Sequence, residues 1–143
     1  MEAMESSGKN LLKAKVEVDE FFIGGQEEGK RGRGNEKKRL VAMAIEVDKF
    51  GIHRSYARVI PSADHVELQA FFDKYIDKCA SIRTDQWTGY LPLKQDYQGL
   101  VAEPSSAKGK SFPLMHRQIM MLKSWLRGIH HQCKHLQAYL NEF

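Results

Sequence analysis

The hydrophobic pattern of the first sixty residues is that of three β-strands. Polar and apolar residues alternate over 15–23, and the pair Gly24 and Gly25 follows. Residues 40–47 form a nearly continuous apolar run, which is typical of a central strand. Alternation returns over 52–60, and the Asp-Lys-Phe-Gly segment at 48–51 predicts a hairpin between these two strands.

The middle of the chain predicts a helix between strands. A helix capped by Ser62 or Asp64 is expected from one apolar face at helical spacing: Leu68, Phe71, Phe72, Tyr75 and Cys79. Short strands are predicted at 80–84 and 100–102. Between them a short helix is expected to end near Gln98.

The C-terminal part is helical by the same criterion. One long apolar stripe predicts the first helix there: Met115, Ile119, Leu122, Leu126 and Ile129. A second amphipathic helix is expected over 136–143, a Gly-rich charged loop over 26–38, and a flexible leader over 1–14. The order β-β-β-α-β-α-β-α predicts a single α/β domain over 15–143, with helices flanking a mixed five-stranded sheet.

The charge distribution indicates a polyanionic partner. The net charge is +4, and no acidic residue lies between Pro104 and Asn141. One basic cluster precedes the second strand: Lys30, Arg31, Arg33, Lys37, Lys38 and Arg39. The other follows Pro104: Lys108, Lys110, Arg117, Lys123, Arg127 and Lys134. Phosphate neutralisation provides most non-specific affinity for nucleic acids, although a solvated basic face accounts equally well for the charge.

The composition excludes several other classes of protein. Hydrophobic residues make up 42% and charged residues 28% of the chain, which fits a globular rather than a disordered protein. We expect a cytoplasmic protein without a membrane segment, because no apolar run could span a bilayer and no signal-peptide core is found. Cys79 and Cys133 are too few and too far apart for a zinc motif or a disulfide framework.

Two aspartates are candidates for chemistry. Asp19 lies in a hydrophobic strand and Asp85 ends another, and strand ends are where open α/β sheets bind ligands. A carboxylate in such a strand is unfavourable unless it is paired, protonated or bound to a metal. A divalent cation would relieve the repulsion between two of them. The alternative is that Asp85 caps a turn and Asp19 faces solvent, and spacing alone favours that alternative.

Three sequence motifs, in order, resemble the transposase domain of ISXO-type insertion sequences. They read V-E-V-D-E-F-F-I-G-G at 16–25, I-R-T-D-Q-W-T-G-Y at 82–90, and L-K-S-W-L-R-G-I-H-H at 122–131 followed by K-H-L-Q-A-Y-L-N-E-F at 134–143. The resemblance extends from about Lys15 to the last residue. It implies a ribonuclease-H-like fold and a DDE-type transposase of a bacterial insertion sequence, an enzyme that cuts and joins DNA phosphodiesters.

The resemblance also implies the catalytic residues. Asp19 and Asp85 match the first two metal ligands, the third matches His116, and a catalytic lysine matches Lys123. Seven residues are about two helical turns, so His116 and Lys123 can address one site. Two metal ions are expected, Mg²⁺ or Mn²⁺, and the histidine favours Mn²⁺ somewhat. Glu20 follows Asp19 but points to the opposite side of a strand, which gives it at most a supporting role.

DNA is the implied partner, both the element ends and the target, with a homo-oligomer assembled on it. Lys123 and Arg127 are expected to contact phosphates near the scissile bond. Further DNA contacts are expected from the basic clusters: Lys30, Arg31, Arg33, Lys37, Lys38 and Arg117. Two alternatives stay open, an inactive or truncated remnant that only binds DNA and a nuclease that hydrolyses without joining. The family continues past Phe143 with an Arg-rich end, which leaves a C-terminal truncation open.

Overall fold

One mixed sheet organises the described part of the chain. The computed structural model describes residues 10–24, 38–104 and 111–129, together with 137, 140 and 141. Within them the sheet has the order β3-β2-β1-β4-β5, formed by β1 (Lys15–Ile23), β2 (Arg39–Asp48), β3 (Gly51–Ile60), β4 (Ser81–Thr84) and β5 (Leu100–Ala102). The first three strands are antiparallel, whereas β4 is parallel to β1 and β5 to β4. The predicted α/β class with a mixed five-stranded sheet is confirmed, and it is consistent with a ribonuclease-H-like fold.

Helices flank this sheet: α1 (His65–Tyr75), a 3₁₀ helix (Thr88–Gln95) and α2 (Pro113–Ile129). The helix predicted after Ser62 is present but ends at Tyr75, so Cys79, which was expected on its apolar face, lies beyond it and is exposed. The second helix predicted over 136–143 and the loop predicted over 26–38 fall largely outside the described residues. Of the two candidate caps of α1, Asp64 is the one whose carboxylate accepts the Glu67 amide, at 2.9 Å. The predicted short helix is a 3₁₀ helix and ends before Gln98. No helix in the described ranges is long and apolar enough to cross a membrane.

Both faces of the sheet are covered, which explains why β2 is apolar along most of its length. One face packs against α1 and the 3₁₀ helix through a buried cluster that includes Val16, Val18, Ala42, Ala44, Leu68, Phe71, Phe72 and Tyr90. The other face packs against α2 through Phe21, Val41, Met43, Ile45, Met115, Ile119 and Leu122, among others. Consecutive residues of β1 therefore serve different layers.

Segments near both chain ends contact this core. Leu12, inside the predicted leader, is fully buried and forms a parallel bridge with Ile76. The side-chain amide of Gln137, in the K-H-L-Q-A-Y-L-N-E-F motif, accepts from the Val59 amide at 2.9 Å and donates to the Ala57 carbonyl at 3.2 Å. Gln137 thus satisfies backbone groups on β3, which is an edge strand of the sheet.

Candidate metal centre

The parallel pairing of β4 with β1 brings the two candidate aspartates together. Glu17 lies opposite Arg83 in this ladder. Continuing the register by two residues sets Asp85, the first residue after β4, beside Asp19. Because side chains alternate along a strand, both aspartates are expected on the side of Glu17 and Arg83. The long-range aspartate pair that spacing alone did not favour is therefore a spatial pair.

A third carboxylate joins them. Asp19, Glu20 and Asp85 each offer a ligand atom, and these atoms all lie within 4.8 Å of one another. Glu20 leaves β1 on the opposite face, as the alternation of a strand requires. However, β4 ends at Thr84 while β1 continues to Ile23, so side chains from both faces can converge where β4 has ended. Strand periodicity alone did not predict that the Glu20 carboxylate would lie beside the two aspartates.

The turn after Asp85 explains the T-D-Q-W-T-G-Y motif. The Asp85 carboxylate accepts the Trp87 amide at 3.0 Å, and the Trp87 indole donates to the Ala63 carbonyl at 2.7 Å. These bonds anchor the turn to the segment before α1. The chain then enters the 3₁₀ helix, and the Tyr90 hydroxyl donates a hydrogen bond to Oε2 of Glu20.

The pKa of Tyr90 is affected by all three neighbouring carboxylates. Its pKa is raised well above the ordinary value for tyrosine, first by burial and then by the charge of Glu20 and the hydrogen bond to it. The charges of Asp19 and Asp85 raise this pKa further. The phenol is therefore protonated at neutral pH and acts as a hydrogen-bond donor to the cluster.

His116 and Lys123 of α2 reach the same end of the sheet. Both line a cleft of about 160 Å³ whose wall also contains Asp19 and Phe21. The Lys123 ammonium lies 5.5 Å from the centre of the Phe21 ring, a cation–π contact that places the charge over β1. His116 is not part of the three-residue group defined above among the described residues. His116 and Lys123 therefore share a cleft with Asp19, whereas the three neighbouring carboxylates are those of Asp19, Glu20 and Asp85.

The predicted DNA contacts are described only in part. Lys38 and Lys123 line a wider cleft of about 550 Å³, together with Glu20 and Phe22. Arg117 is exposed on α2. Four of the other predicted contacts lie outside the described residues: Lys30, Arg31, Arg33 and Lys37. Arg127 lies in α2, but its side chain is not among those described.

Arg83 is a structural residue that the motifs did not single out. Its guanidinium binds Glu103 through two hydrogen bonds of 2.6 and 3.0 Å and donates to the Ser111 carbonyl at 3.2 Å. It also lies 4.9 Å from the centre of the Phe112 ring, so it links β4 to the start of α2. Glu17 is only 4% exposed, and its Oε1 lies 4.0 Å from the guanidinium. Among the described residues, this oxygen has no hydrogen-bond partner.

Comparison with known families agrees with this arrangement. The sequence model of the ISXO2-like transposase domain matches residues 11–143. The chain belongs to the ISXO2-like transposase domain family. This confirms the resemblance on which the candidate site was based, and it makes the protein a transposase domain. No curated protein matches the chain.

The group of three carboxylates formed by Asp19, Glu20 and Asp85, called the carboxylate group below, suits the divalent metal that a DDE-type transposase implies. Three carboxylates within this distance repel one another when ionised, and a cation with oxygen ligands would relieve the repulsion. An all-oxygen set is typical of sites for hard divalent cations rather than for metals that prefer sulfur or nitrogen ligands. The donor set present in this transposase domain therefore fits a divalent cation.

Gly89→Ala in the transposase domain is expected to be destabilising by about 1–3 kcal/mol, because it overpacks a tight turn. The added methyl group would lie 2.6 Å from the Ala63 oxygen and 2.7 Å from the Trp87 Nε1, the two atoms that hydrogen-bond to each other. Urea unfolding measures the change. The neighbouring Thr88→Ala, at an exposed position, is the control and should change stability by no more than about 0.5 kcal/mol. Equal stability of Gly89→Ala and wild type would contradict the packing described for this turn.

Proposed function

We propose that this domain catalyses the DNA cleavage and strand transfer that move a bacterial insertion sequence, using Mg²⁺ or Mn²⁺. The observation that supports this most directly is the convergence of Asp19 and Asp85, 66 positions apart in the chain, where β1 passes the end of β4. Membership of a transposase family gives that convergence its chemical meaning. We place the protein in the cytoplasm, acting as a homo-oligomer on paired DNA ends.

Asp19, Asp85 and His116 are proposed as the metal-binding residues of a two-metal site. Asp19 belongs both to the group formed with Glu20 and Asp85 and to the cleft that His116 lines, so it would supply a ligand near each of the other two proposed residues. Bound divalent cations would draw charge from the scissile phosphate and favour in-line attack by an oxygen nucleophile. The nucleophile is water for cleavage and a DNA 3′-hydroxyl for joining.

Lys123 is proposed to contact a phosphate oxygen next to the scissile bond. It lines both clefts, and the ring of Phe21 beneath it limits where its ammonium can lie. Lys38 lines the wider cleft with Lys123, which favours a path for the DNA backbone through that cleft. Arg117, Arg127 and the basic cluster before β2 are proposed to extend this contact: Lys30, Arg31, Arg33 and Lys37.

A single assay separates this function from its alternatives. The protein is incubated with DNA that carries the terminal inverted repeats of its element, in EDTA, in Mg²⁺ or in Mn²⁺. Products that are cut and joined only with metal support the proposal. Cut but unjoined DNA indicates a nuclease, and a salt-dependent gel shift without products indicates a remnant that only binds DNA.

A further inference from the structure

Of the three neighbouring carboxylates, only that of Glu20 is not among the metal ligands implied by the family resemblance. Its ligand atom lies within 4.8 Å of those of Asp19 and Asp85. It also lines the wider cleft together with Lys38 and Lys123. One carboxylate therefore borders both the two aspartates and the surface along which the DNA backbone is proposed to run.

A buried tyrosine holds this carboxylate. Tyr90 is 1% exposed, and its ring packs 6.1 Å, centre to centre, from the ring of Phe72. Its hydroxyl donates to Oε2 of Glu20. At its start, the 3₁₀ helix that carries Tyr90 is anchored by the bond from Trp87 to the Ala63 carbonyl. Since breaking this bond would leave a buried donor without a partner, Glu20 is held in one position.

A carboxylate held in this way can still bind a metal. It has two oxygens, so one can accept from a tyrosine while the other coordinates a cation. Hydrogen bonds to ligating carboxylates orient them, and losing such a bond typically weakens metal affinity. The flexible glutamate side chain is then ordered before the metal binds, which lowers the entropy lost on binding.

We propose that Glu20 is a further oxygen ligand of the cation held by Asp19 and Asp85, and that Tyr90 is the positioning residue that orients it. This inference rests on the proposed metal-dependent function. A purely structural Glu20–Tyr90 pair is the competing explanation. It predicts that variants of the pair lose stability and keep the metal affinity of the wild type.

Mn²⁺ binding without DNA tests the inference, with free Mn²⁺ measured by electron paramagnetic resonance on the full chain. Tyr90→Phe should weaken Mn²⁺ binding by about 10-fold, within the range seen when a partner that orients a metal ligand is lost. Glu20→Gln, which removes the charge of the ligand itself, should weaken it by at least about 100-fold. Tyr97→Phe is the matched control. It also removes a buried hydroxyl that binds a carboxylate, that of Asp73 at 2.7 Å, but outside the carboxylate group.

The outcomes distinguish the inference from the function on which it rests. If the wild type binds Mn²⁺ and both Glu20→Gln and Tyr90→Phe bind it equally well, the inference is overturned but the proposed metal site is not. Failure of the wild type to bind Mn²⁺ would overturn the proposed metal site as well. Circular dichroism shows whether each variant is folded, and Glu20→Asp replaces Glu20→Gln if the latter is not. The shorter carboxylate should also weaken Mn²⁺ binding, and wild-type affinity in Glu20→Asp would count against the inference.

A kinetic measurement separates positioning from stability. If Tyr90 acts through the metal, saturating Mn²⁺ should restore DNA cleavage by Tyr90→Phe to within about threefold of wild type, because the hydroxyl itself does not react. A defect that excess Mn²⁺ does not reduce would contradict the positioning role of Tyr90.

Discussion

Asp85→Asn is expected to reduce metal-dependent DNA cleavage by at least about 10³-fold, which corresponds to a loss of about 4 kcal/mol of transition-state stabilisation. Asparagine keeps an oxygen that can accept the Trp87 amide, as Asp85 does at 3.0 Å, so the turn after β4 should be preserved. What is lost is the negative charge that attracts the cation. The measurement is the rate of cleavage of terminal-repeat DNA in Mn²⁺.

The matched control is Asp96→Asn, which removes an exposed carboxylate just after the 3₁₀ helix. Its cleavage rate should equal that of the wild type. DNA binding by Asp85→Asn at low salt should also be retained, because phosphate contacts come from basic residues. Equal cleavage by Asp85→Asn and the wild type would remove Asp85 from the catalytic site.

Arg83→Met is expected to destabilise the fold by about 2–3 kcal/mol at pH 7.5, because it leaves the buried carboxylate of Glu17 without its neighbouring cation. The same change removes the link from β4 to Ser111 and Phe112 at the start of α2. Urea unfolding as a function of pH measures both the size and the cause of the effect.

The pH dependence of this effect has a definite sign. Burial raises the pKa of Glu17 above its ordinary value, and the charge of Arg83 opposes that rise. A raised carboxyl pKa contributes stability that is complete below the ordinary pKa and is lost as the pH rises through the folded-state value. Without Arg83 the pKa of Glu17 rises further, so the deficit of Arg83→Met should grow from pH 4 to pH 7.5. Arg83 also lowers the pKa of Glu103, and losing that contact acts in the same direction.

Two further variants isolate the contribution of Glu17. Adding Glu17→Gln to Arg83→Met removes the buried charge, so most of the growth of the deficit with pH should disappear. Glu103→Gln alone removes only a partly exposed ion pair and should destabilise the fold much less than Arg83→Met does. A deficit of Arg83→Met that is constant from pH 4 to pH 7.5 would show that Glu17 plays no part.

The sequence predicted the elements and the two aspartates because each depends on local patterns. Alternation identified β1 and β3, the unbroken apolar run identified β2, and helical spacing identified the stripe that α2 buries. The sequence motifs around Asp19 and Asp85 then distinguished these two aspartates from the other acidic residues. The family match over residues 11–143 confirms that resemblance.

Residues whose roles depend on long-range contacts were not found in this way. A strand pattern assigns Glu20 to the face opposite Asp19, and no local pattern reports that β4 stops short of β1. Arg83 and Glu17 face each other because of the parallel register, which joins segments 66 residues apart. Gln137 lies within one of the sequence motifs, but its hydrogen bonds to the backbone of β3 depend on where the C-terminal segment packs.

By itself, then, the sequence determined the secondary-structure elements, the α/β class and the transposase family, since these follow from periodicity and local motifs. The tertiary structure alone decided which side chains meet at the centre. Because β4 ends before β1 does, Glu20 can lie beside the two aspartates. Tyr90, in the 3₁₀ helix on the face of the sheet opposite α2, donates a hydrogen bond to it. The physical reason is that strand register, strand ends and layer packing are set by burial across the whole sheet, which no short segment encodes.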